Sequence, residues 1–147
     1  MSYVKKVGRG AGGVVWRGQL VGPTNQVHTI AIKQIRPEAK GLFEAELSIY
    51  RYISEAGDCP WVPSFHGFTA DPSLCILLEY CTNGSLSQYL AHPRGLTWEL
   101  VLGWMREVSL LLGYLEKHSI VHCDLKTSNL LLDELLRVKL CDFGMSR

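Results

Sequence analysis

The pattern of the sequence changes near residue 80, and this change restricts the fold more than any other feature. Before it, short runs rich in β-branched and aromatic residues alternate with turns at 3–7, 14–20, 27–35, 64–69 and 74–80. One stretch among them, 41–56, has apolar residues mostly at helical spacing. After the turn-like segment 81–84 the pattern becomes helical. The sequence therefore predicts an α+β fold, in which a five-stranded antiparallel sheet with one helix precedes a helical part.

The second part of the chain contains a short predicted helix at 85–91 and a long one at 97–117. We expect the long helix to bury one apolar stripe, formed by Leu100, Val101, Trp104, Val108, Leu111, Leu112 and Leu115. A short strand is predicted at 138–141. We therefore place a first lobe at 1–80, a hinge at 81–84 and the beginning of a second lobe at 85–147.

Composition and charge exclude several classes of protein. The chain has 147 residues, of which 47% are hydrophobic and 20% charged, the balance of a globular protein. A net charge of +1 provides no field that would collect nucleic acid or an anionic membrane surface. The five scattered cysteines predict neither a zinc site nor a disulfide framework. Without a signal segment or an uncharged span, we expect an intracellular protein, cytoplasmic or nuclear.

Three glycines lie between the first two predicted strands, in the pattern Gly8-x-Gly10-x-x-Gly13-x-Val15. A residue without a Cβ lets backbone amides approach phosphate oxygens closely. A flexible hairpin turn would explain the same glycines equally well. Their place between two strands differs from the strand-to-helix position of a dinucleotide fingerprint.

A lysine ends the third predicted strand, in the run Ile-Ala-Ile-Lys at 30–33. Strand alternation sends Ala31 and Lys33 to the same face, from which the amine can reach a phosphate under the glycine turn. The alternative is a strand-end lysine in water. Glu46 or Glu44, both on the following helix, could orient the amine.

Residues 122–129, His-Cys-Asp-Leu-Lys-Thr-Ser-Asn, are the most informative stretch. Asp124 can accept a proton from a hydroxyl or orient it for attack, and Lys126 can neutralise charge on a moving phosphoryl group. Asn129 can bind Mg²⁺, and Asp142, in Asp142-Phe143-Gly144, offers a second hard oxygen ligand. For any single aspartate, a loop cap is the alternative interpretation.

In this order the motifs resemble those of the protein kinase family, over essentially the whole chain. The resemblance implies ATP and Mg²⁺ as cofactors and a protein substrate. It implies that Lys33 holds the α- and β-phosphates, and that Glu46 pairs with Lys33, because Phe43-x-x-Glu46-Leu47 is similar to the family's helix pattern. Asp124 and Lys126 would be catalytic, and Asn129 and Asp142 would hold the metal.

The resemblance also implies the remaining contacts of the site. The nucleotide-binding residues would be Gly8, Gly10, Gly13, Val15, Ala31, Lys33, Leu78, Glu79, Cys81, Ser85, Asn129 and Asp142. The rings of Tyr50, Phe65, His122 and Phe143 would stack as the family's hydrophobic spine. Lys126 resembles the serine/threonine branch of the family, which favours a serine or threonine hydroxyl as the acceptor.

The sequence also departs from the family. Cys123 stands where an arginine often grips a phosphate of the activation loop, so we hypothesise that such a phosphate does not switch this kinase on. The alternative is that Cys123 is a small apolar filler. Cys141 is either a thiol facing the nucleotide or a buried, inert cysteine.

The chain ends at Arg147, shortly after Gly144, so we expect a truncated kinase. An apolar face of the long helix would then be exposed, which predicts either poor solubility or a partner that covers it. The alternative function is a catalytically weak or inactive ATP-binding regulatory module, similar to a pseudokinase. A dinucleotide oxidoreductase is disfavoured because no helix is predicted after Gly13.

Overall fold

A computed structural model of the chain describes residues 1–9, 13–22, 24–57 and 59–147. Its first part contains a five-stranded sheet in which every pairing is antiparallel, in the order β1-β2-β3-β5-β4. The strands are β1 (Ser2–Arg9), β2 (Gly13–Val21), β3 (Val27–Ile35), β4 (Phe65–Thr69) and β5 (Cys75–Glu79). The predicted sheet and the α+β fold class are confirmed.

In the described residues of the first part, one α-helix, α1 (Lys40–Glu55), follows a short 3₁₀ turn at Pro37–Ala39. Apolar residues three or four apart place Phe43, Leu47, Tyr50 and Ile53 on one buried face. Glu46 lies on the same face and is also buried. A carboxylate is costly to bury unless it is paired, so this position already indicates a partner.

The second part begins with α2 (Leu86–Ala91) and continues with α3 (Trp98–Lys117). Ser85 caps α2 in a reciprocal capping box with Gln88, and Thr97 caps α3 through the amide of Leu100. A hairpin of two three-residue strands follows, β6 (Leu130–Leu132) and β7 (Val138–Leu140). Strand β6 was not predicted, because three successive leucines show no alternation that would identify a strand.

Helix α3 buries a narrower stripe than its sequence predicts. Trp104, Leu111 and Leu115 are buried, but Leu112 is 45% exposed, so its predicted burial is wrong. Leu112 lines an apolar groove of about 450 Å³ between α2 and α3. Among the described residues, no helix is long and apolar enough to cross a membrane.

Candidate active site

The register of the sheet brings the predicted nucleotide-binding side chains to one face. Val15 pairs with Lys33, and Ala31 pairs with Leu78. Because directly opposed residues in antiparallel strands point to the same side, and Ala31 and Lys33 are two residues apart, all four side chains share this face. It is the face that meets the main core, in which Leu78 is buried and against which Ala31 packs.

The glycine turn between β1 and β2 is described only in part. Gly8 pairs with Val15 across the two strands. A Cβ at Gly13 would lie 2.0 Å from the main-chain oxygen of Gln34, so the close approach of β2 and β3 requires a glycine there. Gly10, the middle glycine of the motif, lies outside the described residues.

Lys33 lies at the centre of a cluster of charges. Its Nζ is 2.7 Å from Oε1 and 2.6 Å from Oε2 of Glu46, and 2.6 Å from Oδ1 of Asp142. The Glu46 side chain is only 2% exposed, whereas that of Asp142 is 45% exposed. Glu44, the other glutamate considered, pairs instead with Lys40 on the exposed side of α1, at 3.8 Å.

The charges in this cluster depend on one another. Burial alone would lower the pKa of Lys33, but the carboxylates of Glu46 and Asp142 outweigh it, so the pKa is raised and the amine is protonated at neutral pH. Burial raises the pKa of Glu46, and the charge of Lys33 opposes that rise. Glu46 therefore needs Lys33 to remain a carboxylate.

A second cluster lies in the segment after α3. Lys126 donates a hydrogen bond of 2.6 Å to Oδ2 of Asp124, and Asn129 donates through Nδ2 to the same oxygen at 3.0 Å and to the Asp124 main-chain oxygen at 2.9 Å. The bond from Lys126 is the main cause that lowers the pKa of Asp124, so this carboxylate is ionised at neutral pH. It can therefore accept a hydrogen bond from a hydroxyl.

The β6–β7 hairpin brings the two predicted metal ligands together. Asn129 immediately precedes β6 and Cys141 immediately follows β7, and the Cys141 amide donates to the Asn129 main-chain oxygen at 2.9 Å. Asp142, the next residue, therefore lies beside Asn129. The His122 ring, whose pKa is lowered by burial, lies 3.0 Å through Nε2 from the main-chain oxygen of Cys141.

The side-chain oxygens of Asn129 and Asp142 suit a hard cation. Asn129 uses its Nδ2 as a donor, which leaves Oδ1 as the amide atom that can bind a metal. Asp142 presents a half-exposed carboxylate, one oxygen of which contacts Lys33. One carboxylate and one amide oxygen, with space left for water and phosphate, match the preference of Mg²⁺ for few protein ligands.

The backbone of both clusters is unusual. Cys123, directly before Asp124, has φ 64°, and Asp142 has φ 69°, both in the left-handed region that non-glycine residues rarely adopt. Such conformations persist only where the surroundings enforce them, and they concentrate at functional sites.

The four aromatic rings predicted to stack are in contact. The ring centroids of Phe65 and Tyr50 are 6.4 Å apart, those of Tyr50 and Phe143 5.3 Å, and those of Phe143 and His122 4.9 Å. This continuous row, which confirms the predicted stacking, joins β4, α1 and the segments that carry Asp124 and Asp142. It fixes α1, and with it Glu46, relative to those segments.

The other residues of the predicted site lie nearby with different contacts. The Glu79 side chain accepts from the Ser64 amide at 3.1 Å and from Lys139 Nζ at 2.8 Å, and the Glu79 amide donates to the Ser64 main-chain oxygen at 2.9 Å, so the main-chain oxygen of Glu79 is the part left for a ligand. Ser85 is occupied as the cap of α2 and contacts neither charged cluster. The buried Lys139 was missed, because a lysine in a three-residue strand carries no distinguishing signal.

Arg17 is a second side chain near the site that the sequence did not reveal. It pairs with Ala31 in the sheet, on the same face as Lys33, and its guanidinium lies 5.5 Å from the ring centroid of Tyr80 in the segment after β5. Alternation from Val15 could have identified it, since residues two apart in a strand share a face.

The two cysteines of interest differ in environment. Cys123 is exposed, so the interpretation of this residue as an apolar filler is wrong. Burial of the thiol raises the pKa of Cys141 to about 12, which keeps it protonated and unreactive at neutral pH.

Fold and site together define a class of protein in which a β-sheet with a packed helix holds a lysine paired with two carboxylates, close to a loop that carries an aspartate and an asparagine. A family model described as protein tyrosine and serine/threonine kinase matches residues 1–147. The chain therefore belongs to the protein kinase family.

Three curated relatives of this chain are kinases of one named type. The chain is 31% identical over 147 residues to the mitogen-activated protein kinase kinase kinase dlk-1 of Caenorhabditis elegans, and the match covers 99% of this chain and 14% of the relative. It is 32% identical to mitogen-activated protein kinase kinase kinase 13-B of Xenopus laevis and 31% identical to the human kinase 13, in each case over 100% of this chain and 14% of the relative. The chain thus spans about one seventh of the length of these relatives.

Proposed function

We propose that this chain is the ATP-binding and catalytic part of a serine/threonine protein kinase, which transfers the γ-phosphoryl group of ATP to a hydroxyl of a protein. The observation that carries the proposal is the joining of Lys33, Glu46 and Asp142 by contacts of 2.6 to 2.7 Å, although they lie far apart in sequence. A structural ion pair needs only two of these groups. A lysine shared between a buried and an exposed carboxylate is what a phosphate-binding amine beside a metal site requires.

In the proposed mechanism each residue binds, orients or neutralises. Glu46 orients Lys33, and Lys33 holds the α- and β-phosphates. Asn129 and Asp142 hold Mg²⁺, which when bound neutralises the charge of the phosphates. The face that carries Val15, Ala31 and Leu78 covers the adenine, and the main chain of residues 79–81 accepts and donates its hydrogen bonds.

The second cluster acts on the acceptor hydroxyl. Asp124 is ionised and accepts the hydrogen bond of the hydroxyl, which directs its oxygen at the phosphorus. Lys126, 2.6 Å from Asp124, is placed to neutralise negative charge on the phosphoryl group as it moves. Positioning and charge neutralisation supply the catalysis, because phosphoryl transfer requires little else from the protein.

We further propose the division of the chain into a first lobe at 1–80, a hinge at 81–84 and the start of a second lobe at 85–147. A partner surface covers the apolar groove of α3, and the protein works in a reducing intracellular compartment, where its five free cysteines persist.

The test is a Mg·ATP binding titration followed by a phosphotransfer assay. Its substrates are a generic basic protein and, because of the names of the relatives, a mitogen-activated protein kinase kinase. The variants are Lys33→Met, Asp124→Asn and Asp142→Asn, with Lys40→Met as the matched control on the exposed side of α1. We expect Lys33→Met and Asp142→Asn to lose binding, Asp124→Asn to lose transfer but keep binding, and the control to keep both.

Three outcomes would contradict parts of this proposal. If the wild-type protein does not bind Mg·ATP, the whole proposal fails. Binding without transfer to either substrate would favour the regulatory, pseudokinase-like function. Transfer that is unchanged in Asp142→Asn would refute the assignment of the metal site.

A further inference from the structure

The hydroxyl of Tyr50 is a buried donor that the proposed mechanism does not use. Tyr50 is 1% exposed, and its Oη has no hydrogen-bond partner among the described residues. Leaving such a group unsatisfied costs about 1–3 kcal/mol, so a protein retains one only where it serves a purpose. The ring contacts of Tyr50 with Phe65, which is stacked, and with Phe143, which is edge-to-face, do not require the hydroxyl.

This hydroxyl lies in the charged cluster rather than in a purely apolar region. Tyr50 is four residues after Glu46 on the buried face of α1, so the two side chains are neighbours. Burial raises the pKa of the Tyr50 phenol well above its usual value, and the charges of Glu46, Cys141 and Asp142 raise it further. The backbone amide of Asp142 opposes the rise without reaching hydrogen-bond geometry with Oη, and an amide N–H could in any case not accept the phenol proton.

Counting protons shows when this donor would be needed. An ammonium group has three protons, and Lys33 makes three short contacts, two to Glu46 and one to Asp142. None remains for a phosphate. If Lys33 turns two protons to the α- and β-phosphates, it keeps one for Glu46, and a Glu46 oxygen loses its donor.

The two carboxylates differ in how they can replace a lost donor. Asp142 is half exposed, so water or a cation can reach it. The Glu46 side chain is only 2% exposed, so water cannot reach its carboxylate. The Phe143 amide already stabilises the Glu46 carboxylate, so this amide cannot also replace the donor that is lost.

We propose that Tyr50 is a positioning residue whose hydroxyl becomes the replacement hydrogen-bond donor to Glu46 when Lys33 binds phosphate. The hydroxyl has no hydrogen-bond partner in the ligand-free protein and gains one when nucleotide binds. The hydrogen bond therefore contributes to the free energy of nucleotide binding and not to that of folding. This inference rests on the proposed function, since it requires that Lys33 bind phosphate.

The test uses Tyr50→Phe, which removes only the hydroxyl, and Tyr52→Phe as the matched control. Tyr52 lies on the same helix, and its hydroxyl, 3.0 Å from Nδ1 of His118, is remote from the charged cluster. For each protein, calorimetry measures the affinity for Mg·ATP and for adenosine, and thermal unfolding is measured without nucleotide.

We expect Tyr50→Phe to weaken Mg·ATP binding on the order of tenfold, because a hydrogen bond to a charged group is lost. Adenosine binding should not change, because adenosine draws no proton from Lys33. The melting temperature without nucleotide should be equal to or higher than that of the wild type. Tyr52→Phe should leave both affinities at the wild-type values.

Several results would overturn the inference. Equal Mg·ATP affinities of the wild type and Tyr50→Phe would show that the hydroxyl is not recruited. An equal loss for adenosine would indicate a general packing defect, and a lower melting temperature would show that the hydroxyl is already satisfied in the free protein. If the wild type itself bound no Mg·ATP, the proposed function would fail, an outcome distinct from these.

Discussion

Lys33→Met should destabilise the fold because it removes the counter-charge of a buried carboxylate. Glu46 is 2% exposed, and both of its carboxylate oxygens contact Lys33 within 2.7 Å. Removing one partner of a buried ion pair costs about 3–5 kcal/mol, because the other charge stays buried and unpaired. The loss of the half-exposed Asp142 contact adds little to this.

The stability that Lys33→Met loses should depend on pH, and the burial of Glu46 determines the direction. Burial raises the pKa of Glu46 above its ordinary value of 4.5, and in the variant the opposing charge of Lys33 is absent. A group whose pKa is higher in the folded than in the unfolded state stabilises the protein fully at a pH below its unfolded-state pKa. This contribution is lost as the pH rises through the folded-state pKa. The variant should therefore lose more stability at pH 8 than at pH 5.

Urea unfolding followed by circular dichroism at pH 5 and pH 8 measures the effect. The control, Lys40→Met, breaks a pair whose side chains are 68% and 65% exposed, and should cost at most about 1 kcal/mol. The double variant Lys33→Met/Glu46→Gln should recover most of the lost stability, because a neutral amide needs no counter-charge. A loss below about 1 kcal/mol, or one that does not depend on pH, would refute the reasoning.

Four substitutions and one titration test the packing of the site and of the core. Gly13→Ala should destabilise the protein by more than about 2 kcal/mol in urea unfolding, because its Cβ would lie 2.0 Å from a main-chain oxygen, whereas Gly8→Ala, whose Cβ would meet no atom of the described residues within 4 Å, should have a small effect. Leu111→Ala, at a position with no exposed surface, should cost about 2–5 kcal/mol, and a smaller loss would mean that the surrounding core collapses into the cavity. Ser85→Ala should cost about 1 kcal/mol by removing the cap of α2, unless another group replaces it. The ring of His122 should titrate below 6.5 in an NMR pH series, since burial lowers its pKa, and a normal value would contradict its buried position.

Much of the fold was predictable because local patterns encode it. The alternation that ends in Lys33 identified β3 and its face, and apolar spacing identified α1 and α3. The capping residue Ser85 and the turn after Cys81 mark the point where the helical part begins. These features depend on neighbours within a few residues, which is the range over which periodicity carries information.

The sequence by itself thus determined most of the elements, apart from strand β6, their order and the residue types available for phosphate and metal chemistry. The helix pattern around Glu46 already favoured it over Glu44 as the partner of Lys33, but only the tertiary structure decided that the β6–β7 hairpin brings Asn129 beside Asp142 and that Tyr50 buries an unused hydroxyl. The physical reason is that pairing and burial depend on groups that lie far apart along the chain. Periodicity locates a residue on a face of its own element, but the free energy of its charge or hydroxyl depends on what the rest of the fold places against it.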